Sequence, residues 1–181
     1  MLSSIIICFA ILALSTATET DDIVNLDCGK TSVDKYDKPQ FYAFNQEVKK
    51  GVIEFTGNVS ANMDNVNVYI YRGPGGAYDL ERNNTLRIEF LNNYRTNFRN
   101  NRYDGGYTDN QIFDTQPLKL DAENKITIEI FKKHHYVYIN NRKIEEYTRN
   151  DAGYYIKGAA ISGKFKTTAV NLQCEGTKQR D

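Results

Sequence analysis

The sequence lacks an excess of either charge: 23 Lys and Arg residues balance 23 Asp and Glu residues, so its formal net charge is zero. Nucleic acids and anionic membranes attract proteins mainly through a large basic excess. Arg and Asn residues do cluster between Asn92 and Arg102, but Asp104 and Asp109 follow closely, as is typical of a solvated loop. We therefore expect neither a nucleic-acid nor an anionic-membrane partner, and because no apolar stretch follows Leu14 we expect no membrane insertion.

Motifs of catalysis and cofactor binding are also missing. The chain has no GxSxG, HExxH, phosphate-binding loop or dinucleotide fingerprint. Its only histidines, His134 and His135, are adjacent in a basic turn, so we interpret them as solvated side chains that cannot share one metal ion. Adjacent Glu145 and Glu146 diverge on a strand and so cannot form the paired carboxylates of a glycosidase. We expect a non-catalytic protein without metal or cofactor.

Long apolar runs are limited to one, Ile5–Leu14, near the N-terminus. Ser15 and Ala17 provide small residues at the spacing that signal peptidase requires, so residues 1–17 are predicted to be a signal peptide. The alternative is a signal anchor, but the run is shorter than the roughly 20 apolar residues that span a bilayer. Cleavage would leave 181 − 17 = 164 residues, a single secreted, extracellular domain of residues 18–181 with its core at about 28–174.

Cysteine is scarce, because Cys8 would leave with the signal peptide and only Cys28 and Cys174 would remain. A secretory compartment favours their pairing in one disulfide, although two free or intermolecular thiols are the alternative. Secretion also favours N-glycosylation at the two acceptor sequences, which begin at Asn58 and Asn83.

No apolar pattern with a helical period occurs, whereas short runs of period two recur between turn residues. The pattern predicts an all-β, antiparallel β-sandwich. The expected strands are Val52–Gly57, Val66–Arg72, Leu86–Leu91, Asn97–Asn100, Tyr107–Phe113, Lys125–Phe131, Tyr136–Ile139, Lys143–Tyr147, Tyr155–Ser162 and Lys166–Cys174. A polar loop is expected from Cys28 to Pro39, and a tight hairpin at Asn140-Asn141.

The alternation also assigns faces. Side chains expected in the core are Ile53, Phe55, Val66, Val68, Ile70, Leu86, Ile88 and Phe90. Arg87, Glu89 and Leu91 would then lie on the opposite, outer face, which could serve as a carbohydrate groove.

Three stretches, read in order, resemble the galectin family of β-sandwich lectins. They are GVIEFTGNVSANMDNVNVYIYRG; TLRIEFLNN followed by NFRNN and GGYTDNQ; and QPLKLDAENKITIEIFKKHHYVYINNRKIEEYTRN followed by IKGAAISGKFKTTAVNL. The resemblance covers about Tyr36 to Cys174 and implies a jelly-roll sandwich of the concanavalin and galectin type. A disulfide across the ends would depart from the typical galectin.

The sugar-binding motif of the family is kept only in part. An ungapped alignment of its H-x-N-x-R strand selects Glu89, Leu91 and Asn93, whereas a slip of two residues selects Leu91, Asn93 and Arg95. The V-x-N strand selects Asn100. In the W-G-x-E-x-R strand, Tyr107 stands at the tryptophan position, Asn110 at the glutamate and Ile112 at the arginine. The resemblance thus implies carbohydrate-binding residues Glu89, Asn93, Arg95, Asn100, Tyr107 and Asn110.

Two functions follow from the resemblance. The first is a secreted carbohydrate-binding module with a divergent sugar site and a glycan or glycoprotein partner. A weak sugar site is worth roughly 4–6 kcal/mol, and each lost charged hydrogen bond costs about 1.5–3 kcal/mol, so classical galactoside binding should be largely lost. The alternative is an extracellular scaffold for proteins that has lost glycan binding and uses its many tyrosines as a contact surface. The sequence leaves the oligomeric state open.

Overall fold

The computed structural model describes residues 23–32, 40–72, 84–92, 95–101, 107–149 and 155–175. The predicted signal segment, Asn83 and Asn93 lie outside the described residues. The described ranges contain no helix and form these strands: β1 (Ile23–Leu26), β2 (Lys30–Ser32), β3 (Gln40–Val48), β4 (Gly51–Val59), β5 (Asn65–Tyr71), β6 (Asn84–Leu91), β7 (Arg95–Asn101), β8 (Tyr107–Phe113), β9 (Ala122–Ile130), β10 (His134–Ile139), β11 (Arg142–Thr148), β12 (Ile156–Gly163) and β13 (Phe165–Cys174).

The strands form two sheets. A seven-stranded sheet has the order β1-β3-β12-β5-β6-β7-β8, and a six-stranded sheet has the order β11-β10-β9-β4-β13-β2. Neighbours pair antiparallel, except that β1 runs parallel to β3. The predicted all-β sandwich is confirmed. Along the ranges that the structure covers, no helix is long and apolar enough to cross a membrane.

One large apolar core fills the space between the sheets. All eight side chains predicted to face inward belong to it. Phe98 on β7 is also fully buried there and meets the ring of Phe113 edge to face, with centroids 5.6 Å apart. Burial of one face of each strand fixes the register, since a shift of one residue would turn the apolar side chains outward. The outer faces are fixed at the same time.

The β10–β11 hairpin confirms the predicted turn. Asn140 and Asn141 have φ of 51° and 67°, the left-handed region that asparagine tolerates better than most residues. The Asn140 side chain also accepts a hydrogen bond from the Lys125 amide at 2.9 Å, which ties the turn to β9.

The N-terminal segment crosses from one sheet to the other, and here the sequence analysis was partly wrong. Within the expected polar loop, Lys30–Ser32 forms β2 and pairs with the C-terminal strand β13. The Gly29 amide donates to the Leu172 carbonyl at 2.7 Å, and Cys28 is bonded to Cys174. This predicted disulfide is confirmed, with Cα atoms 5.5 Å apart. A three-residue polar strand forms because the cross-link and the open edge of β13 hold it, not because of its propensity.

The interpretation of both histidines as solvated turn residues is wrong. The turn contains only Lys132 and Lys133, and β10 begins at His134. His135 is therefore a core-facing strand residue, fully buried, with its Nε2 3.2 Å from the Thr85 Oγ1. Burial, and then the positive charges of Arg149 and His134, hold the pKa of His135 well below its usual value of 6.5.

This burial predicts an acid-sensitive fold. As the pH falls below about 6.5, the unfolded chain gains a proton at His135 and the folded chain does not, so the unfolded state is favoured. The free energy of unfolding should fall by up to about 1.4 kcal/mol per pH unit from this residue alone. Urea titrations of the wild type and of His135→Gln between pH 7 and pH 5 should show this fall in the free energy of unfolding only in the wild type. The His134→Gln control should retain it, and parallel curves for all three proteins would contradict the prediction.

The glycosylation predictions stay predictions. Asn58 lies exposed near the end of β4, on the outer face of the six-stranded sheet. Attachment of a glycan at this position would not disturb the core.

Candidate functional site

The outer face of the seven-stranded sheet carries a charged cluster across β5, β6 and β7. Glu89 on β6 lies in register between Asn67 on β5 and Asn97 on β7. Arg87, two residues earlier, lies between Tyr69 and Arg99. Cross-strand partners share a face, so these side chains form one surface opposite the core.

Glu89 is the centre of this cluster. Its carboxylate pairs with Arg87, and its other oxygen lies 3.2 Å from the Arg99 guanidinium. The Asn97 Nδ2 donates to that same oxygen at 3.3 Å. Glu89 and Asn97 are only 8% and 6% exposed, so these charged hydrogen bonds are largely desolvated. Partners on three sides fix the position of the carboxylate.

Asn97 also presents an unused acceptor. Its Oδ1 is buried and has no hydrogen-bond partner among the residues that the structure describes. A buried acceptor without a donor costs about 1–3 kcal/mol. Beside it, the cross-strand neighbour Ile112 on β8 is 52% exposed, an unusually open position for a large apolar side chain. Ile112 therefore offers an open apolar surface next to the charged cluster.

The other half of this outer face is aromatic. Phe41, Tyr69, Tyr71 and Ala160 form a second buried cluster, separate from the main core. The Tyr71 hydroxyl donates to the Tyr42 carbonyl at 2.9 Å, and the ring lies directly over Gly158, where an added Cβ would be 2.3 Å from ring atoms. Arg87 connects the two halves, since its guanidinium lies 5.3 Å from the centroid of the Tyr69 ring.

Two of the residues predicted to bind carbohydrate, Glu89 and Arg95, lie on this outer face. Glu89 lies at the centre of the charged cluster. Arg95 begins β7 at the rim of the same face, mostly exposed, with its Nε 3.4 Å from Asp114. β6 ends at Leu91 and β7 begins at Arg95, so Glu89 and Leu91 lie on one strand and Arg95 lies on the next.

The remaining predicted residues within the described ranges lie on β7 and β8. Asn100 pairs with Thr108, and Tyr107 pairs with Asn101, so the first lies on β7 and the second on β8. Asn110 also lies on β8. The structure places these strands next to the cluster, and the binding roles of the residues stay predictions.

The sequence analysis placed Arg87 on the outer face without selecting it as a binding residue, and it missed Asn97 and Arg99. The period-two signal could have found them, because Arg87 alternates with Leu86 and Ile88, and Asn97 and Arg99 flank the core residue Phe98. Selecting residues by their match to the family motif favoured Asn100 over Arg99.

The arrangement is suited to binding. It offers one carboxylate with positioned guanidinium and amide groups, whereas glycoside hydrolysis generally requires two carboxyl groups. Across the described ranges, no group of three or more His, Cys, Asp or Glu residues could hold a metal ion.

Known structures are similar to this fold. The Caenorhabditis elegans galectin LEC-6 superposes with a TM-score of 0.66 at 7% identity, covering 79% of this chain and 95% of that one. CG-16, a homodimeric agglutinin from chicken liver, gives a TM-score of 0.64 at 13% identity, with coverages of 75% and 100%. A toad ovary galectin, solved in complex with thio-digalactose, gives 0.63 at 10% identity, with coverages of 76% and 100%.

Sequence comparison adds independent support. A search of curated proteins finds no match. The model of the galactoside-binding lectin family matches residues 39–172. Because this match spans well over half of the 181 residues and agrees with the two-sheet topology, the chain belongs to the galactoside-binding lectin family, the galectins.

Proposed function

We propose that this galectin domain is a secreted, non-catalytic lectin that binds a glycan on the outer face of its seven-stranded sheet, through a divergent site centred on Glu89. The observation that carries the proposal is the desolvated cluster of Glu89, Arg87, Arg99 and Asn97. Sugars present many hydroxyl groups that both donate and accept, so a fixed set of charged donors and acceptors can discriminate among them.

The site differs from the family motif in its chemistry. In the ungapped alignment Glu89, Leu91 and Asn93 stand at the histidine, asparagine and arginine positions of H-x-N-x-R, and the exposed Ile112 stands at the last arginine of W-G-x-E-x-R. The Glu89 carboxylate lies between two guanidinium groups, those of Arg87 and Arg99. Ile112 offers only an apolar surface. We therefore expect a glycan other than a simple β-galactoside.

A glycan array tests the function, followed by titration calorimetry on the best ligand. The wild type should bind a restricted set of glycans and should pass through a lactose column without tight retention. Tight retention released by free lactose would contradict the divergent site, and a silent array would contradict the lectin function.

Asn97→Ala should weaken glycan binding through loss of the amide that positions the Glu89 carboxylate. One hydrogen bond contributes about 0.5–1.5 kcal/mol, so the Kd for the best array ligand should rise about threefold to tenfold. The matched control is Asn171→Ala, on β13 in the other sheet, which should leave Kd unchanged. Equal affinities for the wild type and Asn97→Ala would remove Asn97 from the site.

The proposal of secretion is supported by the predicted signal segment and by the Cys28–Cys174 disulfide, which oxidising compartments favour. N-terminal sequencing of the exported protein should give Thr18 as the first residue. A chain that retains residues 1–17 would favour the signal anchor instead.

The scaffold alternative loses part of its support. Among the tyrosines that suggested a protein-binding surface, Tyr71 and Tyr147 are fully buried, and Tyr69 is 6% exposed. Tyr94, Tyr103 and Tyr154 lie outside the described residues. Tyr136, Tyr138 and Tyr155 keep partial exposure. The first two lie on β10 in the other sheet, and Tyr155 lies just before β12. Capture of a protein partner by a chain with a silent glycan array would favour this alternative.

A further inference from the structure

A second surface combines lysines with aromatic rings, at one end of the six-stranded sheet. We call it the basic turn patch and define it as Phe131, Lys132, Lys133, His134 and Tyr136. It joins β9 to β10 on the outer face of that sheet, whereas the Glu89 cluster lies on the outer face of the other sheet. The proposed glycan site makes no use of it.

The turn presents two lysines at its tip. The Phe131 amide donates to the His134 carbonyl at 3.0 Å, which closes a tight turn with Lys132 and Lys133 at the two central positions. Both lysines are exposed, and neither forms an ion pair with any residue in the part of the chain that the structure describes. The tip therefore carries two adjacent ammonium groups that are available to an external anion.

Aromatic rings form the base of the patch. The ring of His134 lies 5.0 Å from that of Phe131 and 4.6 Å from that of Tyr136, measured between centroids. Phe131 and Tyr136 meet edge to face at 5.4 Å. The three side chains are half-buried, so they support one another and still leave ring surface open to solvent.

Further positive charges surround the rings. The Nζ of Lys50 lies 5.5 Å from the centroid of Phe131, and the Nζ of Lys143 lies 3.9 Å from that of Tyr136. These two lysines pair with Glu175 and Glu146 respectively. Their charges are partly offset, so the net positive charge of the patch resides at the turn.

A buried arginine holds the turn in place. Arg149 is 3% exposed, its guanidinium donates to the Phe131 carbonyl at 3.1 Å, and its amide donates to the Lys133 carbonyl at 2.8 Å. These two hydrogen bonds fix the backbone that carries Lys132 and Lys133.

We propose that the basic turn patch is a second binding site, which takes a sulfated polysaccharide. Adjacent ammonium groups match sulfate groups carried at short intervals, and open ring surface packs against the apolar faces of sugar residues. The zero net charge of the chain gives no general attraction to polyanions, so we expect binding to depend on a local arrangement such as this one.

Binding to immobilised heparin tests the proposal. In Lys132→Gln/Lys133→Gln the Kd for heparin should rise about tenfold or more, because two charged contacts are lost. Retention of the wild type should fall as salt increases. The matched control is Lys119→Gln/Lys164→Gln, which removes two exposed lysines elsewhere and should bind as the wild type does.

A second control separates this site from the Glu89 cluster. The triple variant Arg87→Met/Glu89→Leu/Arg99→Met should lose the glycan ligand and keep heparin binding. Loss of heparin binding in the triple variant, equal losses in both lysine pairs, or no binding by the wild type would overturn the proposal. Binding to phosphatidylserine vesicles with no binding to heparin would also overturn it, in favour of a membrane surface.

Discussion

Replacing both Cys28 and Cys174 with serine should lower the free energy of unfolding by about 5 kcal/mol. The disulfide joins residues that are 146 positions apart, and the loss of chain entropy on closing so long a loop gives this magnitude. Few other single features of this chain should contribute as much, since domains of this size have total stabilities of about 5–15 kcal/mol. Urea denaturation of the oxidised wild type and the double variant gives the difference directly.

The reduced wild type is the control for this prediction. If the disulfide bond itself stabilises the fold, the reduced wild type and the double variant should have the same free energy of unfolding. Hydrogen exchange should show where the effect begins. Strand β2, Lys30–Ser32, is paired in its sheet with β13, and its amides should lose protection first. A double variant within about 1 kcal/mol of the oxidised wild type would show that packing alone holds the N-terminal segment.

Glu89→Leu should destabilise the protein by about 3 kcal/mol and abolish glycan binding. The substitution removes the carboxylate from between Arg87 and Arg99, whose side chains are only 19% and 28% exposed. Breaking a buried ion pair on one side costs about 3–5 kcal/mol, and the residual exposure of the arginines places this case at the lower end.

The triple variant Arg87→Met/Glu89→Leu/Arg99→Met separates folding from function. Apolar replacement of a whole buried charge cluster is often neutral or stabilising, so the triple variant should recover most of the stability lost in Glu89→Leu. It should not recover binding to the array glycan. Recovery of both properties would show that the charged cluster maintains the sheet and plays no part in recognition.

Much of the fold could be predicted because burial acts on alternate residues. The run from Leu86 to Leu91 shows which side chains face the core, and the structure agrees at each position. The Asn140-Asn141 turn is equally local, since its backbone angles favour that residue type. Strand β2 escaped prediction because its formation depends on Cys174 and on an open sheet edge, both far away in the sequence.

The site was harder to predict because it depends on register between strands. Glu89 meets Arg99 only after β6 and β7 pair with a particular offset, which a single sequence does not specify. His135 was misjudged for a related reason. Its neighbours Lys132 and Lys133 are solvated, and only the exact position at which β10 begins turns the imidazole into the core.

The crossing of the N-terminal segment also affects solubility. Strands β3 and β13, of 9 and 10 residues, would otherwise be the outermost strands on that side of the sandwich. Long unpaired edges are templates for aggregation, and short ones are poor templates. Strands β1 and β2 replace them with edges of 4 and 3 residues. Because β1 covers Phe41–Phe44 of β3 and β2 covers Val170–Leu172 of β13, the same few residues shorten the open edge in both layers.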